Sequence, residues 1–158
     1  MSKPIPFLWF DTNAEEATNF YVSIFPNSKV VSINRYPAGG PAPAGAVMTT
    51  RFSLDGQEFV ALNGGPHHKF TEAISFVINC ETQAEVDRFW DTLTAGGGEP
   101  GPCGWLKDKY GLSWQVVPTI LPKLLSGGDP AKSGRAMAAM MKMSKLDGDA
   151  LKRAYDGA

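Results

Sequence analysis

The segment 103–119, CGWLKDKYGLSWQVVPT, carries the side chains with the widest choice of chemistry in the chain. Strand alternation places Ser113 and Gln115 on one face and Trp114 and Val116 on the other. Because the run ends in apolar residues, it is too hydrophobic for a fully exposed strand. We therefore expect the polar face to line a cavity, where the Gln115 amide would suit a neutral oxygenated ligand. The alternative is a core glutamine that only satisfies its neighbours.

Three further residues near or facing such a cavity are candidates for ligand binding. A nucleophilic Cys103 would need a nearby base or a helix N-terminus to lower the pKa of its thiol, and the sequence shows neither. A buried, unreactive cysteine is therefore favoured there. Trp9 and Trp105 lie in strand-like runs, where aromatic side chains usually fill a core but can also stack on a flat ligand.

The loop NGGPHH, residues 63–68, holds the only histidines of the chain. Adjacent side chains of an extended backbone point apart, so His67 and His68 are not expected to share one metal ion. Exposed loop histidines are the simpler interpretation, with His67 the better functional candidate as a general base. Asn63 is a poor metal ligand but remains a candidate for lining a pocket.

The elements that must position these residues follow a repeated order. Residues 5–12 predict a buried strand, and 13–25 predict an amphipathic helix that Asn13 caps. The runs 29–37 and 47–65 predict three more strands, the last two joined at Asp55-Gly56, which is a strong turn signal.

The second half repeats this pattern with different residues. A strand at 73–81 precedes a helix that opens on the capping-box pair Thr82 and Glu85. A hairpin region spans 103–119, and Asp108 is expected to shape its turn. Residues 120–158 are expected to be helical, with breaks at SGGDP and near residues 147–148.

Composition excludes several classes of function. The 158 residues carry a formal net charge of −1, so no basic surface indicates a nucleic-acid partner or an anionic membrane. The N-terminal apolar run is too short to span a membrane and lacks a secretory cleavage pattern, so a cytoplasmic protein is expected. Two cysteines outside any CxxC pair give almost no support to structural zinc or a disulfide.

Three stretches give the sequence a family resemblance: FLWFDTNAEEATNFYVSIFPNS, VALNGGPHHKFTEAISF and CGWLKDKYGLSWQVVP. They resemble the PhnB-like branch of the vicinal-oxygen-chelate superfamily, often called 3-demethylubiquinone 3-methyltransferase-like. The resemblance implies an α+β fold of paired βαβββ modules and a homodimer. It places module one at about 1–66, module two at about 67–120 and a helical tail at about 121–158, within one domain.

The same resemblance implies four metal-ligand positions, which this sequence fills poorly. They fall within residues 4–8, near Ala61, near Ala73 and at Gln115. Only Gln115 is a possible ligand, unless Glu58 or Glu72 substitutes, and a lone amide oxygen cannot hold a divalent ion. We therefore expect neither a metal nor another cofactor.

The expected function is that of a small-molecule-binding protein without a complete metal site. Two alternatives stay open: a lyase or isomerase that acts on a small oxygenated substrate with a divalent metal, and a ligand-sequestering, drug-binding module. Methyl transfer is not expected, because the first strand runs into DTNAEEA without the glycine-rich turn that holds a methyl-donor cofactor. The loop AGGPAPAG lies between strands and offers no helix N-terminus to such a cofactor.

Overall fold

The computed structural model describes residues 2–158, which form two compact units that meet in sequence at Lys69 and Phe70. The first unit contains, in chain order, β1 Phe7–Phe10, α1 Ala14–Ile24, β2 Lys29–Arg35, β3 Val47–Leu54 and β4 Gln57–Asn63. This is the βαβββ order expected from the sequence. The strands form one mixed sheet in the order β1-β4-β3-β2, in which β1 runs parallel to β4.

The two faces of the first sheet have different neighbours. Thr18 of α1 and Thr50 of β3 share a buried hydrogen bond of 2.5 Å, so the Thr50 face lies against the helix. Ala61 pairs in register with Thr50 on one side and with Leu8 on the other, so all three residues share that face. The turn between β3 and β4 has positive φ at Asp55 and Gly56, as the hairpin prediction requires.

The cap of α1 differs from the prediction. The side chain of Asn13 makes no capping hydrogen bond. Instead, the Oδ1 atom of Asn63, at the end of β4, accepts a hydrogen bond from the backbone N–H of Ala14 at 2.8 Å. The prediction for Asn13 was therefore wrong, because the capping oxygen comes from a residue that is distant in sequence and close only after the sheet has formed.

The second unit repeats the order with β5 Ser75–Cys80, α2 Gln83–Thr94, β6 Glu99–Pro100, β7 Trp105–Lys107 and β8 Ser113–Pro118. Its strands are ordered β5-β8-β7-β6, and β5 runs parallel to β8. The predicted capping box is present, since Thr82 Oγ1 accepts from Glu85 N at 3.2 Å. Glu85 Oε2 in turn accepts a hydrogen bond from the backbone N–H of Glu81, the residue before Thr82, at 2.9 Å.

The tail of the second unit forms three helices: α3 Ile120–Leu125, α4 Pro130–Met140 and α5 Gly148–Asp156. They pack around their own hydrophobic cluster, which consists of Val117, Leu121, Leu124, Ala136, Leu146 and Leu151. The break at SGGDP is confirmed. The second expected break is also present: α4 ends at Met140, and Asp147 caps the start of α5 by accepting from Ala150 N at 3.0 Å.

Specific polar contacts attach this tail to the rest of the second unit. Gln83 of α2 donates to the carbonyl of Leu146 and accepts from the N–H of Gly148, both at 2.9 Å. The backbone N–H groups of Cys103 and Gly104 donate to the carbonyls of residues 143 and 144, both at 2.8 Å. No helix among residues 2–158 is long and apolar enough to cross a membrane.

Candidate functional site: a pocket on the second sheet

The most distinctive cavity of the second unit lies against strands β6, β7 and β8. We call it the β6–β8 pocket; its volume is about 480 Å³, and it is lined by Glu72, Glu99, Pro100, Gly101, Pro102, Trp105, Leu106, Lys107 and Ser113. Trp105 and the two prolines give it apolar walls. Two carboxylates, one ammonium group and one hydroxyl supply the polar groups, which is a common composition for a small-molecule site.

Strand register places the polar lining in one row. Glu99 pairs with Lys107 across β6 and β7, Lys107 pairs with Ser113 across β7 and β8, and Ser113 pairs with Ser75 across β8 and β5. Directly paired residues share a face of the sheet, so these four side chains cross it side by side. Three of the four line the pocket.

One residue of this row, Lys107, forms an ion pair with Glu72, which lies outside the row. The carboxylate of Glu72 contacts the ammonium of Lys107, and the side chains of both remain partly exposed. The hydrogen bond from Lys107 lowers the pKa of Glu72, and a backbone hydrogen bond and then the charge of Lys107 act in the same direction. The hydrogen bond to Glu72 raises the pKa of Lys107, and Glu99 adds a smaller effect in the same direction. Glu72 and Lys107 are therefore both charged at neutral pH.

Ser113 is the unusual member of the row. Its residue is only 1% exposed, and its Oγ atom is buried without a hydrogen-bond partner. Leaving a buried hydroxyl unpaired costs about 1–3 kcal/mol, so such groups are rare and call for an explanation. A hydroxyl that lines a pocket and lacks a protein partner is suited to a partner that enters the pocket.

Gln115 lies on the same face as this row, as strand alternation predicted, but it does not line the pocket. It pairs in register with Trp105 on β7, while Trp114 points to the opposite face with Leu106 and Phe76. Its Nε2 atom donates to Ser75 Oγ at 2.9 Å, and its side chain is half-buried. The donor of the amide is thus used inside the sheet, which favours the interpretation that Gln115 satisfies a neighbour.

Asp108 builds the turn that joins the two lining strands β7 and β8. It is 2% exposed, and its Oδ1 accepts from the N–H groups of Tyr110 at 2.8 Å and Leu112 at 3.1 Å. Its Oδ2 accepts from Trp114 Nε1 at 2.9 Å. The expectation that Asp108 shapes this turn is confirmed.

Cys103 lies beside the pocket rather than in it. It is partly exposed, not buried as the sequence favoured, and it adopts a φ of 58°, which is unusual for a residue other than glycine. The backbone N–H of Cys103 donates to a carbonyl of the tail, and this contact keeps the residue out of the sheet core. Cys80 is the buried thiol: burial, followed by the charge of Glu85, raises its pKa to about 11. Both cysteines are free.

The first unit has a separate groove of about 510 Å³, which we call the α1 groove. Asn63 and His67 line it together with Asp11, Glu15 and Tyr36. Asn63 is fully engaged there: besides capping α1, it donates to the carbonyl of Val47 at 3.1 Å, and its own carbonyl accepts from Tyr36 Oη at 2.6 Å. His67 is exposed, as expected for a loop histidine.

Trp9 supports the loop that carries the two histidines and does not line the α1 groove. Its Nε1 donates to the carbonyl of Gly65 at 2.9 Å, and the ring of His68 meets it edge-on with centroids 4.7 Å apart. Residue 64 must be glycine for this packing, since a Cβ there would lie 2.3 Å from the indole. The structure therefore gives Trp9 a supporting role in this loop.

The side chains at the four positions where the resemblance implies metal ligands do not together suit a metal. Ala61 faces α1, so the residues of β4 on the other face are Val60 and Leu62, and neither can bind a metal. The two possible substitutes are paired elsewhere: Glu58 with Arg51 and Glu72 with Lys107. Within residues 2–158, no three His, Cys, Asp or Glu side chains gather closely enough to hold an ion.

Of the six candidate site residues, the structure places only Trp105 in the β6–β8 pocket, while Asn63 and His67 line the α1 groove. Sequence reasoning missed Glu99 and Lys107 as pocket residues, and it placed Ser113 on a strand face expected to line a cavity without naming it as a candidate site residue. One signal for Ser113 was present, because it shares a polar strand face with Gln115. No local signal indicated the others, since β6 has two residues and β7 has three.

Comparison with known proteins agrees with this architecture. The family model described as 3-demethylubiquinone-9 3-methyltransferase matches residues 2–117, which leaves the whole helical tail outside the match. A putative 3-demethylubiquinone-9 3-methyltransferase, PhnB protein, from Bacillus cereus is 39% identical; the match covers 75% of this chain and 100% of that one, with a TM-score of 0.66. The search of curated proteins gave no match.

More distant structures share the fold. The protein PA1353 from Pseudomonas aeruginosa is 20% identical over 75% of this chain and 98% of its own, with a TM-score of 0.61. The fosfomycin resistance protein FosX from Listeria monocytogenes, complexed with Mn(II) and sulfate, is 15% identical over 78% of this chain and 94% of its own, with a TM-score of 0.54.

The two βαβββ units define a protein of the vicinal-oxygen-chelate fold. Within that superfamily, the chain belongs to the PhnB-like family whose model is described as 3-demethylubiquinone-9 3-methyltransferase.

Proposed function

We propose that this protein binds a small organic molecule in the β6–β8 pocket and does so without a metal ion. The observation that carries the proposal is the unpartnered hydroxyl of Ser113, which is 99% buried yet lines a pocket with apolar walls. A ligand with an apolar body would pack against Trp105 and the two prolines, Pro100 and Pro102. A hydroxyl, carbonyl or amine on it would give Ser113 its missing hydrogen bond.

The absence of a metal follows from the residue types and not from the contents of the site. Three of the four positions expected to hold an ion carry side chains that cannot bind one, and the fourth, Gln115, offers a single amide oxygen, which cannot hold a divalent ion alone. Divalent ions in such sites need several oxygen or imidazole ligands. The proposed chemistry of recognition therefore uses hydrogen bonds and apolar contacts alone.

Methyl transfer is not part of the proposal, although the family description contains that word. A glycine-free connection, residues 11–13, joins β1 to α1, and the glycine-rich loop 38–46 joins two strands. Neither arrangement offers the backbone N–H groups of a glycine-rich turn at a helix N-terminus, where a methyl-donor cofactor would be held.

We also propose that the protein is a cytoplasmic homodimer. Both sheets have edge strands, which need cover in an aqueous environment. On α4 and just beyond it, Met137 is 41% and Met141 is 66% exposed, so the tail presents apolar surface suited to a second copy of the chain. Light scattering at micromolar concentration should give twice the 17.0 kDa mass of one chain, and a monomer mass would contradict this proposal.

Binding in the pocket can be tested with benzyl alcohol, a neutral ring compound with one hydroxyl. Titration into the ¹⁵N-labelled protein should shift the amide signals of residues 105–107 and 113, with an affinity in the millimolar range for so small a probe. Ser113→Ala should weaken this binding about threefold to tenfold, because one neutral hydrogen bond contributes about 0.5–1.5 kcal/mol.

The same variant carries an internal check. Replacing an unpartnered buried hydroxyl should leave the thermal stability of the free protein unchanged or raise it, which separates loss of binding from loss of folding. Ser32→Ala, at an exposed position of β2, is the matched control and should bind the probe as wild type does. Shifts confined to other regions, or equal affinity in Ser113→Ala, would contradict the proposal.

A further inference from the structure

The charged groups of the β6–β8 pocket do not cancel. Glu72 and Glu99 each carry one negative charge, and Lys107 carries the one positive charge among the lining residues. Lys107 is already paired with Glu72. Glu99 lies opposite Lys107 in the strand register and is exposed, so it is left as the unbalanced charge of the pocket.

This arrangement disfavours an anionic ligand. To pair with Lys107, an anion would have to displace the carboxylate of Glu72 and approach Glu99 at the same time. A cation meets the opposite situation, because it can approach Glu99 without breaking an existing pair. The negative field is evident in the protein itself, since both carboxylates raise the pKa of Lys107.

The remaining lining groups fit an organic cation better than a bare ion. Trp105, Pro100 and Pro102 offer apolar contacts to a ring or a short aliphatic body. A tryptophan ring is also the most favourable aromatic partner for an ammonium group.

We infer that the β6–β8 pocket selects small ring-bearing amines in their ammonium form over neutral and anionic compounds of the same shape. This inference rests on the proposed function, because it names the class of ligand for the same pocket. The ammonium group lies toward Glu99, at the β6 edge of the polar row, and the apolar body lies against Trp105.

Three probes of matched shape test the charge preference: benzylamine, benzyl alcohol and benzoate. In ¹⁵N-detected titrations at pH 7 and low salt, benzylamine should bind about fivefold more tightly than benzyl alcohol, which corresponds to about 1 kcal/mol for one exposed charge pair. Benzoate should bind more weakly than both. Raising the salt concentration should reduce the preference for benzylamine, since the pair is exposed to solvent.

The variant Glu99→Gln assigns the preference to its source. It should bring the affinity of benzylamine close to that of benzyl alcohol, so that the ratio of the two affinities falls about fivefold. Glu16→Gln, at an exposed position of α1, is the control and should retain the wild-type preference.

The outcomes separate the two claims. Equal affinity for benzylamine and benzyl alcohol, or a preference that survives Glu99→Gln, overturns the amine inference while the pocket remains a binding site. Failure of all three probes to shift residues 105–107 and 113 overturns the proposed function and the inference with it.

Discussion

The turn that holds the pocket strands together depends on one buried carboxylate, and Asp108→Asn tests this directly. Asp108 accepts three hydrogen bonds, at 2.8, 3.1 and 2.9 Å, while only 2% exposed. Asparagine has nearly the same shape. Its Oδ1 can still accept from the two backbone N–H groups, but its Nδ2 would face the indole N–H of Trp114, so two donors would meet.

The magnitude follows from these contacts. A hydrogen bond to a charged group contributes about 1.5–3 kcal/mol, so losing the Trp114 bond and weakening the other two should lower the free energy of unfolding by about 3 kcal/mol. For a chain of this size, that corresponds to a fall in melting temperature of roughly 6–12 °C. Urea unfolding at pH 7, followed by circular dichroism, measures the change.

A double-mutant cycle identifies the contact responsible. Trp114→Phe removes the indole N–H, so Asp108→Asn should cost clearly less in that background than in wild type. Asp91→Asn, at an exposed position of α2, is the control and should change stability by less than about 0.5 kcal/mol. If Asp108→Asn also changed the free energy of unfolding by less than about 0.5 kcal/mol, the account of this turn would be refuted.

Three further results are expected. Gln83→Ala should lower the free energy of unfolding by about 1–2 kcal/mol and speed hydrogen exchange in residues 141–148, because it removes both hydrogen bonds from Gln83 to the tail; Gln57→Ala is the exposed control. Burial raises the pKa of the Cys80 thiol from 9.0 to about 11, so its contribution to the free energy of unfolding is fully present below pH 9 and is lost as the pH rises to 11. Over that range the free energy of unfolding should fall by up to about 2 kcal/mol more in wild type than in Cys80→Ala. Equal falls in the two proteins would count against burial as the cause. Elemental analysis after mild purification should find far less than one divalent ion per chain, and a stoichiometric ion lost in Gln115→Ala would show that the ligand positions were misplaced.

Patterns confined to one element predicted much of this structure. The alternation of polar and apolar residues placed Ser113 and Gln115 on one face of β8, and the Asp55-Gly56 pair fixed the first hairpin. The Thr82 and Glu85 pattern marked the start of α2. Each of these depends on residues within a few positions of one another, which is where propensity and spacing act most strongly.

The features that sequence reasoning missed depend on contacts between distant residues. The cap of α1 comes from Asn63, which reaches Ala14 only because β4 pairs with β1. The polar row joins residues from four strands, and its edge strand β6 is too short to show any period. The candidates Trp9 and Gln115 were chosen for their chemistry, but hydrogen bonds to Gly65 and Ser75 occupy their donors.

The most direct test of the central claim is a crystal structure of the protein soaked with benzyl alcohol at a concentration that saturates binding in solution. The account predicts the ring in the β6–β8 pocket against Trp105, with its oxygen within hydrogen-bonding distance of Ser113 Oγ. Density for the probe elsewhere, with only a water molecule on Ser113, would contradict it.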